Sequence, residues 1–388
     1  SHQRNVFTSG TGVLAEYSAA NNDIVGNYFG TIDGEAPVSS VTAVRLQWGA
    51  TGNTVSENVI GAHTDYGVLL FYADGNQVSE NIIGGTWNWA WPLPNAVGIR
   101  VEWADDNIIG PFNRVIGNTG TGVQLAHSVG TQVYNNTIGD CSYTDLGNGG
   151  SGIQITSGSH TRLTSNGFGC NRDDGIYLAS GPGTVIQGNG SGGNGGDGIH
   201  ISSTTEVLIG GDGPHDANGF GGNELNGIHL TGSGTSNVEI VGNEIGISGY
   251  FDVPNYGNGV LVDGGAHHNT IGGGGLRHGN WIAYNHMSGI RLSGASTSYN
   301  TVAGNVLGVP PNWESGWEAR NGHHGIAVYD GADHNNVGMV GVGNWVLDSG
   351  WSGVVIQNSS DNTVWYLSLI HISEPTRLKT RSRMPSSA

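Results

Sequence analysis

A chain of 388 residues has room for two or three ordinary domains, but 70 glycines spread from end to end argue for one repetitive body. A formal charge of −18 repels phosphate backbones and anionic lipid, which disfavours nucleic-acid and membrane-surface partners. No run of eighteen apolar residues exists, so no helical membrane span is expected. The chain opens at Ser1 without a methionine or signal peptide and is read as truncated at both ends, its targeting segment missing.

Taken in order, the pattern Gly-[Val/Ile]-x-[Leu/Val/Ile] recurs at Gly12, Ala43 in place of Gly, Gly67, Gly98, Gly122, Gly152, Gly175, Gly198, Gly227, Gly259, Gly289, Gly325 and Gly353. The spacing falls to 23 residues at its shortest and rises to 36 where loops are inserted. The unit is clearest at Asn223–Gly246. There Ile228 and Leu230 share one face of a short strand with His229 on the other, and Val238 and Ile240 point inward from a second. Strands this short need copies above and below, so the expected fold is all-β: a single-stranded right-handed parallel β-helix of about thirteen coils. At ~4.8 Å per rung the rod is about 58 Å long. A propeller would want longer blades, and a leucine-rich repeat a different leucine spacing.

A second motif, Asn-x-[Ile/Leu/Phe]-Gly, follows in most coils, with Asn27, Asn58, Asn81, Asn136, Asn243 and Asn305 read as a structural ladder. Asparagine tolerates the left-handed conformation, so it is expected to turn the corner. The stretches GNYFGTIDG (26–34), SGGNGGDGIHIS (191–202), GNEIGISGYFDVPNYGNGVLV (242–262) and NTIGGGGLRHGNWIAYNHMSGIRLSG (269–294) resemble the right-handed parallel β-helix repeats of pectin-lyase-like proteins. They are most similar to those of large bacterial secreted or surface proteins, and the resemblance spans residues 5 to 366. It implies a fold and an extracellular or cell-surface setting. It implies no single activity, because the fold hosts lyases, hydrolases, epimerases, tailspikes and adhesins.

Residues 367–377, LSLIHISEPTR, and 382–388, SRMPSSA, resemble translated sequencing adapter. The β-helix domain is therefore set at 1–366, with 367–388 a non-native tail. Setting aside the tail's four basic residues and one acidic residue leaves nine against thirty, a formal charge of −21 with no lysine.

Insertions such as 31–42, 86–97, 141–151, 247–258 and 309–324 share one corner, so they should wall a groove. Its floor is the outward row Leu14, Arg45, Leu69, Arg100, Gln124, Gln154, Tyr177, His200, His229, Leu261, Arg291, Ala327 and Val355. Trp87, Trp89 and Trp91 on one wall, and Trp313 and Trp317 on another, suit stacking on sugar rings; the alternative is that they pin the loops to the rod. Arg100 and Glu102 share the outward face beside the first of these loops, and Tyr177, His200 and His229 stack on adjacent rungs. A polysaccharide or cell-surface glycan is the expected partner, and uncapped coil ends predict self-association.

Asp174 and Asp197 occupy equivalent positions one rung apart, with Asp173 beside them. Stacked carboxylates can share a proton for acid chemistry or recruit calcium; a turn ladder with Asn226, Asn258 and Ser288 is the alternative. The calcium nonapeptide pattern around Asp197 occurs once, whereas that site needs tandem copies. The histidine pair could bind metal, but no third ligand follows at fixed spacing. The body lacks the Arg-Ile-Lys and Asn-Thr-Asp motifs of polygalacturonase-like hydrolases and the Asp-Pro-His segment of mannuronan epimerases. The leading reading is therefore a glycan-binding or adhesive rod, with a polysaccharide lyase or glycoside hydrolase, or a pure spacer, as alternatives. Cys141 and Cys170 fall at nearly equivalent corners of adjacent coils, close enough for a disulfide.

Overall fold

The computed structural model describes residues 4–88, 90–141, 146–248, 251–275, 278–308 and 320–369. Alternating inward and outward residues make strands of two to nine residues, and these stack in parallel into three long sheets. Sheet 1 has fourteen strands, from Val6–Phe7 to Ser368–Leu369. Sheet 2 has thirteen, from Thr11–Ala15 to Val354–Gln357, and sheet 3 has thirteen, from Asp23–Val25 to Thr363–Val364. Each coil passes through the three sheets in turn and returns one rung higher, which makes the molecule a right-handed parallel β-helix. Ser368–Leu369, inside the segment read as adapter-derived, pairs with Trp345–Val346, and Leu367 packs on the core.

The core is a set of columns along the axis. Sheet 2 sends in two, one through Val44, Val68 and Ile99 and the other through Leu46, Leu70 and Val101; sheet 3 contributes Val55, Val78 and Ile109. In sheet 1 the column runs Phe29, Ile60, Ile83, Val115, Ile138, Phe168, Ser191, Phe220 and Ile245. The small Ser191 sits between two phenylalanines and spends its hydroxyl on the Gly198 carbonyl at 2.9 Å. Burial of each such aliphatic side chain contributes about 1.5–3 kcal/mol.

The repeat glycine is a steric requirement. A Cβ on Gly227 would lie 2.5 Å from Ile245 Cγ2 and 2.8 Å from the Gly259 carbonyl oxygen of the next coil.

Buried asparagines join the coils at their corners. Between sheets 3 and 1 an unbroken ladder runs from Asn5 through Asn27, Asn58, Asn81, Asn113, Asn136, Asn166, Asn189, Asn218, Asn243, Asn280 and Asn305 to Asn344. From Asn27 onward each donates its backbone N–H and its amide to the next side-chain oxygen, for example Asn58 to Asn81 at 3.0 Å in both cases. The left-handed residue of that corner is the one before the asparagine: Gly26, Glu57, Glu80, Asn135, Gly242 and Gly304 all have positive φ. This corrects the expectation that asparagine itself adopts that conformation; its task here is to hydrogen-bond.

A second ladder, Asn95 to Asn321, runs along the corner between sheets 1 and 2, and His63 heads it with Nδ1 2.7 Å from Asn95 Oδ1. A third column, between sheets 2 and 3, is asparagine at 22, 53, 76 and 107, threonine at 131, 161 and 184, valine at 207 and 238, then asparagine again from 269. Where it changes type, Asn107 Nδ2, Thr131 Oγ1 and Thr161 Oγ1 are buried without a partner.

Candidate functional site

The outward row of sheet 2 is in register from end to end. Leu14 pairs with Arg45, Arg45 with Leu69, and so on through Tyr177, His200, His229, Leu261, Arg291 and Ala327 to Val355. Leu69 and Ala327 are covered by their neighbours, and the others keep part of their surface in solvent. The loops at 31–42 and 86–97, and the described ends of those at 141–151, 247–258 and 309–324, leave the corner between sheets 1 and 2, along one edge of this row. The longer connections after Gly210, Gly272 and Val337 leave the corner between sheets 3 and 1 instead, which corrects the expectation that the insertions share one corner.

The polar members bond along the row. Arg100 makes a salt bridge to Glu102 at 3.3 Å and donates to Gln124 Oε1 at 2.6 Å, and Gln124 donates to Gln154 at 3.3 Å. Arg45 donates to Gln47 at 2.6 Å, and Arg291 lies 3.7 Å from Asp330. Each arginine is thus matched by an acceptor.

In the middle coils the row changes character. The rings of His200 and His229 stack at 4.8 Å, and Tyr177 meets His200 edge-on at 5.2 Å. Tyr177 Oη is 3.3 Å from Ser202 Oγ. His229 is gripped from both sides, with Nδ1 3.1 Å from Asp197 Oδ2 and Nε2 3.1 Å from Asp263 Oδ1. Burial alone would lower the His229 pKa; the hydrogen bonds and charges of Asp197 and Asp263 outweigh it and hold the imidazole up to about 9. Burial would raise Asp263, but its bonds to His229 and Thr231 and the nearby imidazoles bring it below the usual carboxylate value.

Asp174 and Asp197 do not face each other as a proton-sharing pair. Asp174 Oδ1 accepts the Asp197 backbone N–H at 2.7 Å, and its Oδ2 lies 3.4 Å from His200 Nδ1. Asp197 is 1% exposed, and its Oδ1 accepts the Asn226 N–H and amide at 2.7 and 2.9 Å. Asn226 Oδ1 in turn accepts from Asn258, and Asn258 from Ser288, so the carboxylates head a buried turn ladder. Asp173 is exposed, and its backbone rather than its carboxylate bonds to the next coil.

The wall residues divide. Trp87 is 53% and Trp91 69% exposed. The Trp87 N–H donates to the Gly34 carbonyl at 3.1 Å, and Asn88 bonds to Glu35 at 2.9 Å, so two loops are tied together while the indoles remain open. Trp89, Trp313 and Trp317 lie outside the described residues. Cys141 and Cys170 are joined in a disulfide with Cα atoms 5.2 Å apart.

Two features escaped the sequence reading. Asp263 belongs to the site although it lies on the coil after His229; it is found by stepping two residues from Leu261, the register partner of His229. The other is a stack of exposed rings at the corner after sheet 2. Trp48, Tyr72, Trp103 and His127 stack at 5.2, 6.0 and 3.8 Å, and all four have φ of 50–53°. Their signal is a constant offset of five residues from the repeat position at 43, 67, 98 and 122.

Residues 113–274 match the family model described as a right-handed beta helix region, and residues 39–146 match that of the periplasmic copper-binding protein NosD. No curated protein sequence matches the chain. Among solved structures, the A-module of a mannuronan C-5 epimerase from Azotobacter vinelandii is similar with a TM-score of 0.55 and 15% identity, over 93% of this chain and 91% of that one. A mutant of a periplasmic alginate epimerase gives 0.51 and 12%, over 88% and 76%. At these identities the likeness shows the fold, of the pectin-lyase-like type, and leaves the chemistry to the residues above.

Proposed function

We propose that this β-helix binds a linear polysaccharide along the outward row of sheet 2, outside the cytoplasm. The carrying observation is the row itself: one register-paired position per coil, mostly polar, with the loops at 31–42 and 86–97 along one edge. A straight polymer laid along the rod meets a donor or acceptor at eight of the thirteen rungs, from Arg45 to Arg291, and Trp87 and Trp91 offer open indole faces at its side. The matched arginines leave the face without surplus positive charge, which favours a neutral glycan, or an acidic one carried with a cation. Support for the setting comes from the Cys141–Cys170 disulfide and from the periplasmic proteins among the matches; two of the similar structures are named for mannuronan and alginate. Calcium at Asp173, Asp174 and Asp197 is not part of the proposal. Oxygens of Asp174 and Asp197 are already engaged by backbone, amide and imidazole groups, whereas calcium wants six to eight free oxygens.

A second reading, a polysaccharide lyase or hydrolase, has one observation in its favour. Asp197 and Asp263 keep His229 protonated on the open face, where it would serve as a proton donor beside His200. The test is a panel of neutral and acidic polysaccharides scored for retention and for chain cleavage. Retention lost in Tyr177→Ala and in a Trp87→Ala, Trp91→Ala pair, without cleavage, is the expected result. Cleavage lost in His229→Gln would establish the enzyme, and neither retention nor cleavage would leave a structural spacer.

A further inference from the structure

We infer that Asp197, His200 and His229 form a binding site for a first-row transition-metal dication. The three side chains come from adjacent coils, with His200 and His229 paired in register and Asp197 at the turn entering the same strand as His200. Their donor atoms lie within 4.8 Å of one another. Asp197 Oδ2 is 3.1 Å from His229 Nδ1 and 3.8 Å from His200 Nδ1. Bonds of about 2.0–2.1 Å in a tetrahedral site put neighbouring donors roughly 3.3–3.4 Å apart, between those two distances. The rings are already inclined by 24°, and a further tilt of His200 brings its nitrogen in.

The surroundings are those a metal ligand set requires. Asp197 is held by Asn226 through Oδ1, which leaves Oδ2 aimed at the imidazoles. Asp263 sits on the far nitrogen of His229, where a carboxylate keeps the proton on Nε2, so that the ion takes the place of the Nδ1 proton and releases it to solvent. Asp174 Oδ2, 3.4 Å from His200 Nδ1, is placed to bond a water in the remaining position. Two imidazole nitrogens and one carboxylate oxygen select zinc, copper or a neighbouring dication over calcium and magnesium. A polar ladder needs none of this convergence: elsewhere in the row neighbouring polar groups bond edge to edge, as Gln124 does to Gln154.

The inference stands apart from the glycan reading, and its test contains no glycan. The metal-stripped full chain is titrated with Zn2+ by calorimetry and with Co2+ by visible absorption. One equivalent should bind, with the d–d band of a four- or five-coordinate Co2+ and no competition from excess Ca2+. His200→Ala and His229→Ala, both partly exposed sites, should each abolish saturable binding while leaving the circular dichroism spectrum unchanged. Asp263→Asn, which touches the site through His229, should weaken binding about 10–100-fold. Absence of stoichiometric binding in the parent chain overturns the inference. So does binding that survives the double histidine variant, which would place the ion elsewhere, for example at the His267–His268 pair, whose Nδ1 atoms are 2.8 Å apart.

Discussion

The coils up to His127 and the coils from Gln154 to Asp263 share one backbone and one core, yet present different chemistry on the same two outward columns. In the first region the strand row carries Arg45, Arg100 and Gln124, closed into hydrogen bonds with Gln47, Glu102 and Gln154, and the following corner carries the stack from Trp48 to His127. In the second the row becomes Tyr177, His200 and His229 with three aspartates converging on it, and the corner positions become Ser157, Ser180, Ser203, Gly232 and Gly264. The difference teaches that the scaffold does not decide the chemistry. Inward columns and asparagine ladders hold the register, and outward positions are free to change coil by coil.

The most forceful way to break this comparison is to cut the ladder once in each region. Asn81 and Asn189 each accept two bonds from the asparagine below and donate to the one above and to carbonyls of their own and the preceding coil. Replacing either by alanine strands buried donors and should cost about 3 kcal/mol or more, nearly equally. Denaturant midpoints measure both, and a clearly smaller loss at Asn189 would mean that the regions do not share a scaffold. Thr161→Val is the control. Its buried hydroxyl has no partner and valine already occupies the same column at 207 and 238, so the change should be neutral or stabilising by about 1 kcal/mol.

Next in size is a pH contrast. His63, in the first region, is pushed down to about 4 chiefly by burial, against the hydrogen bond to Asn95. Its neutral form is favoured on folding, so its contribution is present above pH 6.5 and is lost as pH falls toward 4. His229 is held up to about 9, so its contribution is complete below pH 6.5 and is lost as pH rises through 9. Each swing is of order 3 kcal/mol before solvent screening. Stability measured against pH should lose its alkaline decline in His229→Gln and part of its acid decline in His63→Gln. An unchanged alkaline limb in the first variant would show that Asp197 and Asp263 do not hold a charged imidazole.

These contrasts also mark what the sequence made legible. The rod and its register could be read because glycine at the repeat position answers a collision with the next coil, as at Gly227, and because inward valines and isoleucines alternate with polar residues. Eight members of one asparagine ladder have the Asn-x-[Ile/Leu/Phe]-Gly setting; six stood out by it, and Asn166 and Asn218, with glycine at x, share it. Asn95, Asn148 and Asn223 lie in the insertion corner without that setting and show themselves only by their bonds. The histidine pair was visible, whereas its grip was not: Asp263 lies 34 residues from His229, and Asp197 meets His229 through Oδ2 while Asn226 occupies Oδ1. Trp87 and Trp91 drew notice as a dense local cluster, while the Trp48–His127 stack is spread at one residue per coil.

That stack supplies the smallest and sharpest test. Trp103 is 45% exposed, is stacked between Tyr72 and His127, and sits at φ 53°, a conformation that costs a residue with a Cβ about 1 kcal/mol or more. Removing the ring forfeits about 0.5–1.5 kcal/mol per aromatic contact, and replacing it with glycine recovers the backbone cost. Trp103→Gly should therefore be less destabilising than Trp103→Ala by about 1 kcal/mol, which leaves it about 0–2 kcal/mol below the parent chain. The corresponding corner in the middle coils is already glycine at 232 and 264, with φ of 86° and 59°. If alanine and glycine behave alike, the corner is not strained and the rings alone account for the first region's edge; if they diverge as expected, the aromatic edge is kept there against a backbone penalty that Ser203 shares and that Gly232 and Gly264 avoid.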